Sequence, residues 1–221
     1  MRQRNIKNLN GRIEENARLL ITEPRSCKGH WAETFGNENP IYLEIGCGKG
    51  NFIVRHATEE KDKNFIACEG QASVVLRALE KAEEGGPENL RIFIDYVNDL
   101  SDYFEKGEIA GIYLNFSDPW PKARHAKRRL TYHKRLRNYK SVLGEAGFIE
   151  FKTDNDGLFE FSLEEIAACA YEIIEVSRDL HGEAQGKYGA ESRHFMTEYE
   201  EKFSRKGNSI CRLVATRPVR K

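Results

Sequence analysis

Three glycines alternate with other residues directly after a short apolar run, in the segment EIGCGKG at residues 44–50. Glycine lets the backbone turn sharply and approach a ligand closely. The spacing fits neither the dinucleotide-binding sequence G-x-G-x-x-G, whose sixth position is Asn51 here, nor the phosphate-binding loop G-x-x-x-x-G-K-[ST]. A carboxylate just before the glycines, that of Glu44, would repel phosphates and attract a cationic sulfonium or amine. We therefore expect a cationic ligand at Glu44, Gly46, Gly48 and Gly50.

A second carboxylate follows the next apolar run, where Cys68 is succeeded by Glu69. An acid at that point of a nucleotide-binding sheet accepts hydrogen bonds from ribose hydroxyls. The loop and Glu69 together indicate S-adenosylmethionine, and the alternative is a tight turn with an incidental glutamate. After the third run we expect an acid to face the adenine amine. Two candidates stand there: Asp95, which could also be a simple strand-end residue, and Tyr96, which could stack or use its backbone.

An acid precedes two prolines that flank a tryptophan in the segment SDPWPK, residues 117–122. Proline fixes its own φ and biases the preceding residue away from helix. Asp118 and Trp120 are therefore expected to be held rigidly at the end of the fourth apolar run. The alternative is a helix-capping aspartate followed by a core tryptophan.

A basic run follows this loop at once, RHAKRR at residues 124–129. Residues 119–144 contain nine Lys or Arg and no acid, although the whole chain has 35 of each charge. Cations just before a helix N-terminus oppose its positive end, so the run is unfavourable for stability. The run indicates a binding site for a polyanion, and the alternative is a solvated surface that binds no ligand. A nucleic acid would account for basic and aromatic neighbours together, with phosphates on Lys and Arg and a base on Trp or Tyr.

The elements that must position these residues alternate between strands and helices. Short apolar runs predict strands at residues 41–45, 65–68, 90–94, 112–116, 148–152 and 210–216. Helical spacing predicts helices around residues 75–82, 132–143 and 159–170, the last behind the capping candidates Asp154, Asn155 and Asp156. This order favours a mostly parallel sheet with helices on both faces, and ligands bind such sheets at the carboxyl ends of the strands.

Composition limits the class of protein. The 221 residues are 39% hydrophobic and 10% aromatic, which indicates a globular chain. No run of 18 apolar residues and no apolar secretion signal is present, and the five cysteines form no CxxC pair. A cytoplasmic protein without a metal site or membrane contact is the expectation. We expect residues 1–39 to form a basic N-terminal arm with a lead-in helix, and residues 40–221 to form the single domain.

Four segments, EIGCGKGNF, LNFSDPWPKARHAKRRLT, FKTDNDGLFEFSL and MTEYEEKF, closely resemble the bacterial tRNA (guanine-N7)-methyltransferase family. The resemblance runs from the basic arm nearly to the C-terminus. It implies a class I methyltransferase: an α/β, Rossmann-like fold with a doubly wound, mostly parallel sheet of seven strands. It also implies an enzyme that takes S-adenosylmethionine as methyl donor and N7 of a variable-loop guanine of tRNA, position 46, as acceptor. A monomer or a homodimer would both be compatible.

The resemblance also assigns residues. It places Glu44, Glu69 and Asp118 at the cofactor. The family usually has an acid at the position of Tyr96, whereas the acid here is Asp95, so the adenine contact stays open between the two. The substrate-binding residues it implies are Lys122, Asp154, Thr197, Glu198, Tyr199 and Glu200, and the RNA-contacting residues are Arg124, His125, Ala126, Lys127, Arg128 and Arg129.

Guanine N7 carries a free lone pair and no proton, so its methylation needs no general base. The enzyme must supply alignment and a field that favours positive charge on the purine. We assign that role to Asp118, as the catalytic residue, and to Asp154, with Trp120 as a wall of the base pocket. The alternatives are a methyltransferase acting on another RNA atom or a small molecule, and a non-enzymatic RNA-binding subunit of the same fold.

Overall fold

A seven-stranded sheet forms the centre of the computed structural model, which describes residues 6–183 and 195–218. Its strands stand in the order β3-β2-β1-β4-β5-β7-β6, and all but β7 run in one direction. The mostly parallel, doubly wound sheet predicted from the sequence is therefore confirmed. The strands are β1 (Ile41–Ile45), β2 (Asn64–Glu69), β3 (Leu90–Ile94), β4 (Ile109–Asn115), β5 (Leu143–Thr153), β6 (Glu172–Ser177) and β7 (Cys211–Thr216).

Helices cover both faces of the sheet. Alternate side chains of β2 enter different apolar layers: Phe65 and Ala67 pack with one group of helices, and Ile66 and Cys68 with the other. This places core on both sides of the strands. The helices are α1 (Leu9–Glu15), α2 (Trp31–Phe35), α3 (Asn51–Glu59), α4 (Ala72–Gly85), α5 (His133–Val142), α6 (Asp156–Ala168), α7 (Leu180–Glu183) and α8 (Glu198–Ser204).

The lead-in before β1 packs onto this core. Ile13 and Leu19 are buried with the apolar face of α4, and Trp31 is fully buried in the other layer. The predicted boundary at residues 39 and 40 falls directly before β1. Arg2 and Arg4 of the predicted basic arm lie outside the described residues, as does most of the interval between Leu180 and Thr197.

The structure corrects or refines the predicted element boundaries at three places. α5 ends at Val142 and runs straight into β5, so Gly144, which directly follows the predicted helix 132–143, lies inside the strand. Asn155 is the N-cap of α6, because its side chain accepts from the Leu158 amide at 2.8 Å. The basic run forms a short 3-10 helix, Ala123–Arg128, before α5 begins.

The six apolar runs also omitted one strand. β6 is an edge strand whose outward face exposes Ile174 and Val176 at 58% and 43%. In the described ranges, no helix combines the length and apolar composition that crossing a bilayer requires.

Candidate active site

The carboxyl ends of β1 to β4 open into one cleft of about 390 Å³. Gly46, Glu69 and Tyr96 line one part of it, and Asp118 and Trp120 line another. A smaller cavity of about 160 Å³ adjoins it between the glycine loop and α8. The glycine loop and the tryptophan loop therefore lie at the same edge of the sheet, the carboxyl ends of the strands, where the sequence analysis expects a ligand. A wider cavity of about 570 Å³ lies at the opposite edge, and none of the predicted site residues lines it.

The glycine loop holds its shape through backbone conformations that favour glycine. Gly46, Gly48 and Gly50 have φ values of 77°, 57° and 79°. A Cβ atom at Gly50 would lie 2.6 Å from Cβ of Ala78 in α4, so this glycine allows the loop and the helix to touch. At Gly46 and Gly48 a Cβ would meet no atom within 4 Å, which leaves the concave side open to a ligand.

Glu44 lies beneath this loop and is only 1% exposed. Asn115 of β4 donates to its Oε1 at 2.8 Å, while its Oε2 is buried without a hydrogen-bond partner in the described part of the chain. Burial raises the pKa of Glu44 to about 7, although the Asn115 hydrogen bond opposes the shift. A buried carboxylate oxygen without a partner is unfavourable. The site therefore fits a cationic ligand such as S-adenosylmethionine.

Three further predicted cofactor residues lie at the end of β2 or directly after β3. Glu69 is half-buried, and its Oε1 accepts from the amide of Gln71 at 3.1 Å. Asp95 already accepts from the hydroxyl of Tyr103 at 2.6 Å. Tyr96 is 66% exposed, and its ring lies so close to Gly70 that a Cβ there would be 2.2 Å away. Both candidates for the adenine contact line the cleft, but only the Tyr96 ring forms an exposed wall.

The loop that carries Asp118 is strained at both ends. Phe116 and Trp120 have φ values of 50° and 41°, which is uncommon for bulky residues and costs about 1–3 kcal/mol each. The amide of Phe116 is fixed by the carbonyl of Lys152 at 2.9 Å. Such strain persists only where the surroundings enforce it, and it concentrates at functional sites. Asp118 itself is exposed in the cleft.

The basic run divides by what each side chain touches. The Arg128 guanidinium stacks 4.6 Å from the centre of the Trp120 ring, and His125 approaches the same ring edge-on at 5.8 Å. Arg129 turns toward the loop and donates to the carbonyls of Pro119 and Trp120. Lys122, Arg124 and Lys127 are exposed, and Ala126 is half-buried in the same 3-10 helix.

Two of the predicted substrate residues make the N-terminal cap of α8. Thr197 Oγ1 accepts from the Glu200 amide at 3.0 Å, and Glu200 Oε2 accepts from the Thr197 amide at 3.3 Å. Glu200 is fully buried and pairs with Lys152 at 2.9 Å and His181 at 3.1 Å. Burial alone would raise the pKa of Glu200, but His181 and Lys152 bring it below its ordinary value. This carboxylate therefore faces the interior.

The start of α8 also faces a cavity. Thr197, Glu198 and Tyr199 line the smaller cavity beside the glycine loop. The Tyr199 hydroxyl donates to Asp154 at 3.2 Å, and its ring centre lies 5.0 Å from that of Phe116. Glu198 pairs with Lys81 of α4. These contacts join α8 to the strained loop and to the end of β5.

The sequence analysis gave no individual role to three residues that shape the site. Asn115 orients Glu44, Lys152 neutralises Glu200, and Arg135 lines the cleft while donating to the Val97 carbonyl at 3.0 Å. A polar residue at the end of an otherwise apolar run was the only signal available for Asn115 and Lys152.

Comparisons with known proteins agree with this geometry. A family model described as "Putative methyltransferase" matches residues 38–213. The chain is 46% identical to a tRNA (guanine-N(7)-)-methyltransferase of Lactococcus lactis over 97% of both chains. It is also 46% identical to one of Bacillus velezensis, over 96% of this chain and 95% of the relative. An Aquifex aeolicus SAM-dependent methyltransferase structure shares the fold, with a TM-score of 0.54, 13% identity, and coverage of 95% and 98%.

Proposed function

The chain belongs to the tRNA (guanine-N(7)-)-methyltransferase family, and we propose that its cleft transfers a methyl group from S-adenosylmethionine to N7 of the variable-loop guanine, position 46, of tRNA. The observation that carries this function is the shared cleft. The cradle of Glu44 and the glycine loop, which suits a cation, opens beside Asp118, Trp120 and the basic run. We propose the cytoplasm as the compartment of the reaction and a monomer or a homodimer as the acting unit.

The cofactor-binding residues follow from the cradle. Glu44 would hold the cationic part of S-adenosylmethionine through its unpartnered oxygen, and Gly46 and Gly48 would allow close backbone approach. Glu69 is placed to accept from ribose hydroxyls, and the exposed ring of Tyr96 is placed to cover the adenine. When bound, this cofactor supplies a methyl group activated by a positively charged sulfur.

The guanine requires alignment rather than a base. Its N7 has no proton to lose, so the chain must hold the ring edge toward the cofactor and stabilise the positive charge that the purine gains. Asp118 lines the cleft, and Asp154 is held at the neighbouring strand end by Tyr199 and Asn208. We assign charge stabilisation to both carboxylates, and we assign one wall of the base site to Trp120.

The tRNA backbone is assigned to the exposed cations of the basic run. Lys122, Arg124 and Lys127 point to solvent beside the cleft. Phosphate contacts by these groups would offset the few kcal/mol needed to take a base out of its stack. Thr197, Glu198 and Tyr199 complete the base site from the side of α8.

A mapping experiment tests the reaction. Unmodified tRNA transcript is incubated with cofactor labelled in its methyl group, and the modified base is mapped. We expect label at N7 of guanine 46 and none in a transcript with adenine at that position. Label on another base, or on the adenine-substituted transcript, would contradict the proposed acceptor.

Asp118→Asn tests the catalytic assignment. The substitution keeps the shape of the side chain and removes its charge, so the single-turnover rate should fall by roughly 10²-fold or more. Lys202→Met, which changes an exposed charge of α8 outside the cleft, serves as the control. A near-normal rate for Asp118→Asn at saturating tRNA would show that the carboxylate is dispensable.

A further inference from the structure

Arg129 differs from the other cations of the basic run in what its guanidinium touches. Its Nε donates to the carbonyl of Pro119 at 3.0 Å, and its Nη2 donates to the carbonyl of Trp120 at 3.1 Å. Its central carbon lies 4.3 Å from the centre of the Phe161 ring in α6. The side chain is half-buried between the loop and this helix. Three directed contacts thus commit it to the protein.

The two carbonyls belong to the strained part of the loop. Trp120 lies in the left-handed region at a φ of 41°, and Pro119 and Pro121 restrict the backbone on either side of it. A strained conformation persists only when neighbouring groups enforce it. The planar fork of an arginine binds two acceptors in a fixed relation, which a single lysine ammonium reproduces poorly. Arg129 therefore holds the strained backbone in place through these two carbonyl oxygens.

We propose that Arg129 is a positioning residue that holds Asp118 and Trp120 in the cleft, and that it contributes no phosphate contact to tRNA binding. The inference depends on the proposed methyl transfer only in what it predicts for the reaction rate. It departs at Arg129 from the expectation that all six residues 124–129 contact RNA, which stays a prediction for the other five. Arg128 stacks on the face of Trp120 from the same run, so the loop is held on its ring side by one arginine and on its backbone side by the next.

The first test needs neither tRNA nor cofactor. Trp31 is fully buried, so acrylamide quenching of the folded chain reports mainly Trp120, and Trp120→Phe identifies its share. Arg129→Met should increase the quenching of Trp120. Arg178→Met is the matched control, because Arg178 also packs on a ring of α6, Phe159 at 5.4 Å, and pairs with Glu160. Equal quenching in Arg129→Met and the wild type would overturn the proposal.

The second test separates positioning from RNA contact. The slope of log K against log[salt] for tRNA binding should be the same in Arg129→Met as in the wild type. In Lys127→Met it should become shallower by about 0.7–0.9, as expected for one lost phosphate contact. A loss of that size in Arg129→Met would overturn the proposal.

The kinetic test uses saturating tRNA and cofactor. The single-turnover rate of Arg129→Met should fall at least tenfold, and Arg129→Lys should restore only part of it, because one ammonium cannot reproduce the fork. Full restoration by lysine would contradict the positioning role. A wild-type chain that methylates no tRNA would refute the proposed function, but it would leave the quenching and salt results interpretable.

Discussion

Glu44 couples the cofactor site to pH. The carboxyl is buried, one oxygen is bound by Asn115, and the other has no partner within the described residues. Because burial raises its pKa to about 7, the empty site favours the protonated form below that pH. A cationic ligand favours the ionised form. Ligand binding must therefore release a proton from Glu44 wherever the free carboxyl is protonated.

The affinity for S-adenosylmethionine should consequently rise with pH and level off above about 7. For one group of pKa about 7 that is fully ionised in the complex, the dissociation constant should fall by about tenfold between pH 6 and pH 8. Isothermal titration calorimetry at several pH values measures this. Glu44→Gln should bind more weakly and lose this part of the pH dependence. An identical pH profile in both proteins would assign the titration to another group.

Residue types indicated what each side chain could do, whereas its partner depended on the fold. Glu44 was identifiable from its place before three glycines, but Asn115, which orients it, is 71 positions away. Asp95 and Tyr96 were indistinguishable as adenine contacts in the sequence. The structure gives them different surroundings: Tyr103, brought close by the turn after β3, donates to the Asp95 carboxylate, whereas the Tyr96 ring is exposed. Long-range partners of this kind leave no local pattern.

Among the elements, the buried strands were predictable from the sequence, whereas the edge strand β6 and the helix α8 were not. β1 to β3 carry apolar runs because apolar clusters pack against both of their faces, and β4 and β5 bury one face in the same core. β6 has one exposed face at the sheet edge, so its run is interrupted by charge. α8 has the polar sequence EYEEKFS, and its position depends on the capping box and on the buried pair of Glu200 with Lys152. Neither the capping box nor the buried pair produces a periodic hydrophobic pattern in the sequence.

This dependence predicts a large effect of Lys152→Met on stability. The change leaves the buried Glu200 carboxylate without its lysine and with the His181 imidazole as its remaining side-chain partner, and breaking such buried pairs costs about 3–5 kcal/mol. Urea unfolding measures the free energy of unfolding. The double variant Lys152→Met with Glu200→Gln should recover part of the loss, because no unpaired charge remains.

The control is a second lysine that pairs with the same helix. Lys81→Met removes a partly exposed pair with Glu198, and such pairs contribute about 0–1 kcal/mol. Similar small losses for Lys81→Met and Lys152→Met would show that the buried pair does not hold α8 in place.

At the scale of the molecule, charge is unevenly distributed although the total is zero. The nine cations of residues 119–144 are balanced by a net negative charge on the rest of the chain. The structure commits three of them to protein carbonyls: Arg129 to the loop, Arg135 to Val97, and Lys140 to Cys169 and Ala170 at the end of α6. The others are exposed, namely Lys122, Arg124, Lys127, Arg128, Lys134 and Arg137. The sequence predicted the basic surface, but only the contacts in the structure show which cations bind protein carbonyls and which are exposed.

That division predicts which cations set the salt dependence of tRNA binding. Arg124→Gln with Lys127→Gln should make the slope of log K against log[salt] shallower by about 1.4–1.8, because each lost phosphate contact contributes about 0.7–0.9. The double variant Arg18→Gln with Arg77→Gln removes the same charge, but these arginines pair with Glu83 and Glu80. Its slope should stay near that of the wild type, measured by filter binding over a salt series. Equal changes in both double variants would mean that tRNA responds to the overall charge of the chain. A change confined to the first would localise the phosphate contacts to the surface beside the cleft, where a backbone held by Arg124 and Lys127 brings the base toward Asp118.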